Sequence, residues 1–390
     1  MEVDVVVIGG GATGSGVAWD LTLRGLSVAL VEMGDVATGT SGRYHGLLHT
    51  GARYAASDLE SAKECYQEHE IVRKVAPEAV DDTGGLFVLS PKDDESFIGT
   101  WLEGCRGAGI PVSEIPVKEA LEREPLVHKG IRHAYDVPDA SCDSFALCGG
   151  LRKSAESEGA KFLTYHRVEE VYHDGDRVTG VWAVDQRTGE GTGISCSAIV
   201  NAAGPWAAEV GKLAGAEFAM VLSRGAMIAF NGRWTHAVVS RLRPPGDGDI
   251  FVPLGYTGVA GTTSVPTDDP YDARIEDWER EKIISETEAF LPGIRHARIL
   301  RSWAGVRPLY DPATASDSAS GTHVDNRKAT RTFDVLEHGE RDGVHGFISI
   351  VGGKLTTFRL MAEKTSDIVC KHLKVKEKCS TAETELLSLK

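Results

Sequence analysis

The sequence predicts a two-lobed α/β protein, in which a parallel dinucleotide-binding sheet is gathered from separated segments and a second lobe is built on an antiparallel sheet. Three observations carry this. A buried strand at the N-terminus runs directly into a glycine turn and a helix; apolar strands of the same kind return at AIVN and GFISIV, each followed by a glycine-containing turn; and the stretches between are β-rich with frequent turn signals. At 390 residues the chain also exceeds the size at which one core usually stops growing, so two cores are expected.

The first strand is VDVVVI, residues 3–8, a nearly continuous apolar run suited to burial on both faces of a parallel sheet. In GGGATG the glycines Gly9, Gly11 and Gly14 have GxGxxG spacing. The first allows a tight turn, the second lets a pyrophosphate approach the backbone, and the third allows close helix packing, with Ala12 and Thr13 between them. Gly14, Ala18 and Leu21 form an apolar helix stripe, Arg24-Gly25 supplies a helix end, and SVALVE reads as the second strand. Glu32 closes that strand where a ribose hydroxyl is normally accepted and would repel a 2′-phosphate, which favours an unphosphorylated adenosine ribose. Strand, turn, helix, strand and acid in this order specify dinucleotide binding and leave NAD and FAD both open.

After Glu32 a Gly/Ser/Thr-rich stretch, GDVATGTSGRYHGLLHTGARY, replaces the helix expected of a plain NAD domain. Ser57 with Glu60 offers a capping box for a helix to about Lys74, and β-rich sequence begins near Gly84. Turn signals at Asp174-Gly175-Asp176 and Thr188-Gly189 divide residues 161–200 into a small antiparallel meander. AIVNAAG then leads to a helix behind Pro205 with Ala207, Val210 and Leu213 at helical spacing. Residues 216–334 mix short strands with an acidic helix near residues 277–290 and read as a substrate lobe. GFISIV is followed by Gly352-Gly353-Lys354 and a helix expected over about 355–371.

Composition bounds the function. A net charge of −15 opposes nucleic acid and anionic lipid as general partners, while leaving room for an anionic substrate in a locally cationic pocket. The seven cysteines are scattered and never spaced as CxxC, and no HExxH or comparable ligand set occurs, so neither a disulfide framework nor a metal is expected. No apolar run approaches the ~20 residues needed to span a bilayer, and no signal-peptide pattern follows Met1; the expected location is the cytoplasm.

The segments VVVIGGGATGSGVAWDLTLRGLSVALVE, ATGTSGRYHGLLHTGARY, IVNAAGPWA, RSWAGVRPLYD and GFISIVGGKLTTFRLMAE together resemble the D-amino-acid-oxidase-like flavoproteins, and more closely the large catalytic subunits of anaerobic-type glycerol-3-phosphate dehydrogenases. The likeness covers nearly the whole chain. It implies a discontinuous, glutathione-reductase-like Rossmann domain for FAD, over residues 1–80, 150–215 and 335–390, and an antiparallel substrate domain over 81–149 and 216–334. The flavin contacts it implies beyond the glycine turn and Glu32 are Met33, Thr38, Thr40, Ser41, Gly42, Arg43, His45, Gly46 and Leu48 in the second glycine-rich segment. Val168, Ala202, Ala203, Gly204, Trp206 and Gly305 follow, with Gly352, Gly353, Lys354, Leu355 and Thr356 beside the flavin pyrimidine. There a helix N-terminus and Lys354 would offset the charge of reduced flavin.

The resemblance also implies the reaction, oxidation of glycerol 3-phosphate to dihydroxyacetone phosphate. His49 would take the C2 hydroxyl proton as hydride passes to flavin N5, and Arg53 and Arg307 would grip the phosphate with Lys354 close by. Arg241, Arg243, Tyr54 and Thr357 are weaker candidates. In the resembled systems electrons continue through an iron–sulfur or membrane-anchor subunit to quinone, which would place the protein peripherally at the inner face of the membrane; an oligomer is compatible. The cysteine-rich C-terminal extension of such proteins does not follow within these residues, so a longer chain or a separate partner would continue the path. The nearest rival is a flavoenzyme of the same fold acting on a 2-hydroxy acid or an amine. A non-catalytic nucleotide-binding module is a second, for which the His49 segment and GGKLTT would have no use.

Overall fold

In the computed structural model, which describes residues 1–310 and 332–389, the strand Val5–Ile8 lies inside a six-stranded sheet. From one edge the order is Phe333–Glu337, Phe347–Gly352, Ala198–Asn201, Val5–Ile8, Val28–Glu32 and Lys161–Thr164. All neighbours are parallel except the first pair. The uniformly apolar run follows from burial on both faces. Val5 and Val7 join a core with the helices Ala12–Leu23, Ser144–Ser157 and Phe358–Leu373. Val6 and Ile8 point the other way, onto the antiparallel meander His166–Asp174, Arg177–Asp185 and Gly191–Ser195 and the helix Ala207–Leu213.

A nine-stranded sheet forms the second layer. It takes Gly85–Leu89, Ser113–Ile115 and His133–Val137 from the first half of the chain, and Val221–Asn231, Val238–Arg241, Ile250–Leu254, Thr257–Gly261, Val265–Pro266 and Ile299–Leu309 from the second. Val221–Asn231 and Ile299–Leu309 form a long antiparallel ribbon with Gly225 opposite Gly305 and Ser223 opposite Arg307. The helix Asp277–Glu288 covers it, started by a reciprocal Glu276–Glu279 capping box. A small sheet of Leu47–Leu48, Ala140–Cys142 and Val80–Asp81 joins the layers. Among the described residues, no helix is long and apolar enough to cross a membrane.

Several expectations need correction. The helix after the second glycine-rich segment is Leu59–Val75, and Asp58 rather than Ser57 caps it, its carboxylate accepting from Ser61 N–H at 3.1 Å. Asp caps a helix as readily as Ser, and Asp58 stands the usual three residues before the amide it accepts from. Lys161–Thr164 belongs to the edge of the parallel sheet, so the meander begins only at His166. The strands of the second lobe are not all short: the two ribbon strands each run 11 residues, hidden in sequence because Arg224 and Gly225 interrupt the apolar pattern. The last helix starts at Phe358, since Gly352 and Gly353 have φ of 78° and 79° and the turn continues through Thr357.

Candidate active site: a cavity between the two sheets

The glycine turn is shaped by contacts that no side chain could share. Gly9 has φ 111° and a Cβ there would fall 2.5 Å from the Ala202 carbonyl oxygen, while a Cβ on Gly14 would collide with the carbonyl of Gly9 itself. The helix Ala12–Leu23 can therefore start against the strand ends, which sets the positive end of its dipole where an anionic group would be favoured. Glu32 braces the turn, its carboxylate accepting from Gly10 N–H at 2.6 Å and Gly34 N–H at 2.7 Å. Burial lifts the Glu32 carboxyl above the usual carboxylate range although both hydrogen bonds oppose that rise.

The segment 38–43 closes over this turn. Ser41 Oγ accepts from Ala12 N–H at 3.0 Å, and Thr40 donates its hydroxyl to the Val306 carbonyl at 2.6 Å. The small residues of TGTSG thus serve as a bridge between the glycine-turn helix and the long ribbon. Between these elements lies a cavity of about 1240 Å³. That exceeds the ~300–1,000 Å³ of a usual small-ligand pocket and suits an extended dinucleotide with a substrate beside it.

Most of the predicted positions line this cavity: Gly9, Gly11, Ala12, Thr13, Glu32 and Met33 at the turn; Thr38, Thr40, Ser41, Arg43 and His45 in the bridge; Val168, Ala202, Ala203, Gly204 and Trp206; and Gly352, Gly353, Lys354, Leu355 and Thr356. His49, Arg53, Tyr54 and Arg307 line it too. Five do not. Gly14, Gly42, Gly46, Leu48 and Gly305 stand behind the wall: close backbone or side-chain approach explains Gly14, Gly42 and Gly305, a φ of 90° explains Gly46, and Leu48 is a fully buried core residue. A Cβ on Gly305, for example, would lie 2.6 Å from the Arg43 carbonyl oxygen. Arg241 is held by Asp93 and Glu286, Arg243 by Glu286 with Asp249 nearby, and neither they nor Thr357 reach the wall. The terminal Asp311 of RSWAGVRPLYD lies outside the described residues.

The polar end is organised around Tyr54. Its ring meets the edge of the buried His49 ring at a 5.3 Å centroid separation and 73°, and Lys354 Nζ lies 5.6 Å from its centroid. Lys354 Nζ also donates to Ser61 Oγ at 3.2 Å. Arg53 Nη2 pairs with the fully buried Asp249 at 2.6 Å and donates to the Gly246 carbonyl at 3.0 Å. Burial is the largest influence and works to lower the Arg53 pKa, but the Asp249 charge and hydrogen bond, with Tyr54 and Asp247, together outweigh it and the guanidinium stays charged. Arg307 Nη2 donates to Thr262 Oγ1 and, at 3.1 Å, to the Thr263 carbonyl. Gly248 N–H donates to the Thr262 carbonyl at 3.2 Å, so the two arginines are anchored on neighbouring, mutually bonded loops.

Sequence reading missed the loop Pro244, Pro245, Gly246 and Asp247, and Thr262, Thr263, Ser264 and Tyr271, all on the wall. The Pro-Pro-Gly-Asp-Gly-Asp run was a visible turn signal beside two arginines; the threonines carried none. Two wall atoms support a polar ligand. Trp206 Nε1 and Thr356 Oγ1 are buried without a hydrogen-bond partner, an arrangement that costs about 1–3 kcal/mol per group until something satisfies it. Together with the glycine cradle, these donors fit a flavin dinucleotide. Among the described residues, no cluster of His, Cys, Asp and Glu could hold a metal, and burial pushes the Cys65, Cys105 and Cys142 thiols up to about 12, which leaves them protonated.

Residues 4–359 match the family model described as FAD dependent oxidoreductase. The chain is 44% identical to an anaerobic glycerol-3-phosphate dehydrogenase subunit from Haloferax volcanii, over 98% of this chain and 66% of that protein. It is 41% identical to the corresponding subunit of the Escherichia coli enzyme, over 98% of this chain and 70% of that one; the chain thus spans about two thirds of the length of the curated relatives it matches. Among solved structures, the glycerol-3-phosphate dehydrogenase of Bacillus halodurans complexed with FAD superposes with a TM-score of 0.73 at 28% identity, covering 99% of this chain and 68% of that one. The fold, the glycine cradle and these likenesses lead to one conclusion: the chain belongs to the FAD-dependent oxidoreductase family and is a relative of these anaerobic glycerol-3-phosphate dehydrogenase subunits.

Proposed function

We propose that this protein binds FAD and oxidises glycerol 3-phosphate to dihydroxyacetone phosphate. The observation that carries the substrate class is the pair of arginines, Arg53 and Arg307, lining one cavity and anchored on neighbouring loops in a protein whose net charge is −15. Guanidinium forks match phosphate oxygens, and two of them select a phosphorylated triol over glycerol. The parallel-sheet lobe would hold the dinucleotide through Gly9–Gly14, Glu32, Thr38–Arg43, Ala202–Trp206 and Gly353–Thr356. The antiparallel lobe would supply Arg307 and the loop that fixes Arg53.

Bound FAD would supply the two-electron acceptor for the carbon-bound hydrogen. The chain's own contribution is the proton and the grip. His49 is buried against Tyr54, out of bulk water, and is the base for the C2 hydroxyl proton; Lys354, also beside the Tyr54 ring, places a positive charge near the reacting centre. The relatives are named as subunits, which supports a partner that removes the electrons, and we assign that role to an iron–sulfur or membrane-anchoring protein leading to quinone.

The test is the anaerobic visible spectrum of the FAD-loaded protein before and after glycerol 3-phosphate, with glycerol and a 2-hydroxy acid as controls. Bleaching of the oxidised flavin band by glycerol 3-phosphate alone is expected. A band that only the hydroxy acid bleaches would overturn the substrate, and a protein that never retains flavin would overturn the cofactor.

A further inference from the structure

The face of the long ribbon that looks into the cavity carries Arg307 on one strand and, diagonally across from it, Gly225 on the other. A Cβ built on Gly225 would lie 2.7 Å from Arg307 Nη1 and 2.8 Å from Cζ, and closer still to Nη2. Both terminal nitrogens are nearer than Cζ, so the Nη1–Nη2 edge of the guanidinium abuts the space that a side chain at residue 225 would fill. One end of the plane is fastened, since Nη2 donates to Thr262 Oγ1 and the Thr263 carbonyl.

The strand beneath cannot give way. On one side of Gly225 the Arg224 side chain is buried in ion pairs to Asp272 at 3.0 Å and Glu279 at 2.7 Å. On the other side Ala226 N–H donates to Thr263 Oγ1 at 2.9 Å, and that threonine hydroxyl donates in turn to Glu279 at 2.7 Å. Any side chain at 225 must therefore displace the guanidinium and not the strand. We propose that Gly225 is the positioning residue for Arg307: its bare backbone is a seat that holds the phosphate-gripping fork at one height, and the missing Cβ sets the specificity for a phosphorylated substrate. This rests on the reading of Arg307 as a phosphate ligand given above.

Restoring ordinary contact for an added methyl requires the guanidinium to move by about 1 Å, given the ~3.5–4.0 Å separation of touching carbon atoms. A displacement of that size at a substrate-holding group costs roughly 10–100-fold. The experiment is a double-mutant cycle in the FAD-loaded protein, with Gly225→Ala, Arg307→Ala and the double variant. Anaerobic stopped-flow reduction by glycerol 3-phosphate would separate apparent affinity from the reduction rate at saturation. Gly225→Ala is expected to weaken the apparent affinity roughly 10–100-fold, to leave flavin content and melting temperature unchanged, and to add nothing in the Arg307→Ala background. Wild-type affinity in Gly225→Ala, an equal penalty when Arg307 is already absent, or loss of flavin would each overturn the proposal. Should the wild-type flavin not be reduced by glycerol 3-phosphate, the substrate reading has failed, and inorganic phosphate titrated against the flavin spectrum reads the same cycle: non-additivity sustains the seat, additivity or no phosphate response refutes it.

Discussion

Replacing Arg53 by Met removes a guanidinium from the cavity wall and leaves behind the carboxylate that holds it. The two consequences are separable. Loss of two charge-assisted hydrogen bonds to phosphate, at about 1.5–3 kcal/mol each, is expected to lower kcat/KM for glycerol 3-phosphate by roughly 10²–10⁴-fold. The second consequence is on stability. Asp249 is fully buried and paired with Arg53 at 2.6 Å, and a stranded buried charge costs about 3–5 kcal/mol. Here Asp249 keeps the Gly246 N–H at 2.7 Å and an Arg243 nitrogen at 3.9 Å, so about 2–3 kcal/mol is the better expectation. Adding Asp249→Asn to Arg53→Met should restore most of the stability, because Asn is neutral and still accepts from Gly246, while restoring none of the turnover. Thermal unfolding at fixed FAD and anaerobic flavin reduction measure the two effects. Wild-type kcat/KM in Arg53→Met, or turnover regained in the double variant, would refute the assignment of Arg53 to the substrate.

Two further outcomes are expected. Arg359 joins the last helix to the helix Leu59–Val75 through Glu68, with both side chains buried and contacts of 2.8 and 2.5 Å. Arg359→Met should lower the free energy of unfolding by about 3–5 kcal/mol in urea titrations, with Glu68→Gln recovering part of it; a change under about 1 kcal/mol would mean the pair contributes nothing. His338 is buried between Asp342 and Ser349, and burial holds its pKa below the ordinary 6.5 despite the Asp342 carboxylate. The unfolded chain therefore binds the proton first as pH falls through 6.5, so the stability present above that pH is lost on acidification, by at most about 1.4 kcal/mol per pH unit. His338→Gln should flatten the acid limb of stability against pH; an unchanged slope would exclude His338 as its source.

What could be read in the sequence divides by the range of the physical constraint. Gly9, Gly11 and Glu32 were visible because each meets a local requirement within one strand-turn-helix-strand unit. The bridge Thr38–Arg43 stood out only as a loop too rich in small residues, and its purpose needed the fold: Ser41 and Thr40 bond to residues 29 and 266 positions away. Gly305 looked like a ligand contact and is instead a gap for the Arg43 backbone. Gly225 and Thr262 left no trace, and Asp249 showed only as part of a turn signal, since each matters through a partner on a different strand or loop. The ribbon strands read as short for a related reason, because Arg224 answers to a distant helix and Gly225 to an arginine on the neighbouring strand.

The interleaving of the parallel sheet also sets a timetable. Val5–Ile8 needs Ala198–Asn201 as a neighbour, and that strand needs Phe347–Gly352. At about 5–20 residues per second of synthesis, the first strand, paired early on one side with Val28–Glu32, waits roughly 10–40 s for its neighbour on the other side and nearly as long again for the strand beyond it. The nucleotide cradle, whose walls include Ala202 and Gly353, consequently cannot be completed by a growing chain until residue 353 has emerged. A ligand that binds only the completed cradle acts as a latch on strands made far apart in time, and its supply in the cell would govern how much of the newly made protein survives to work.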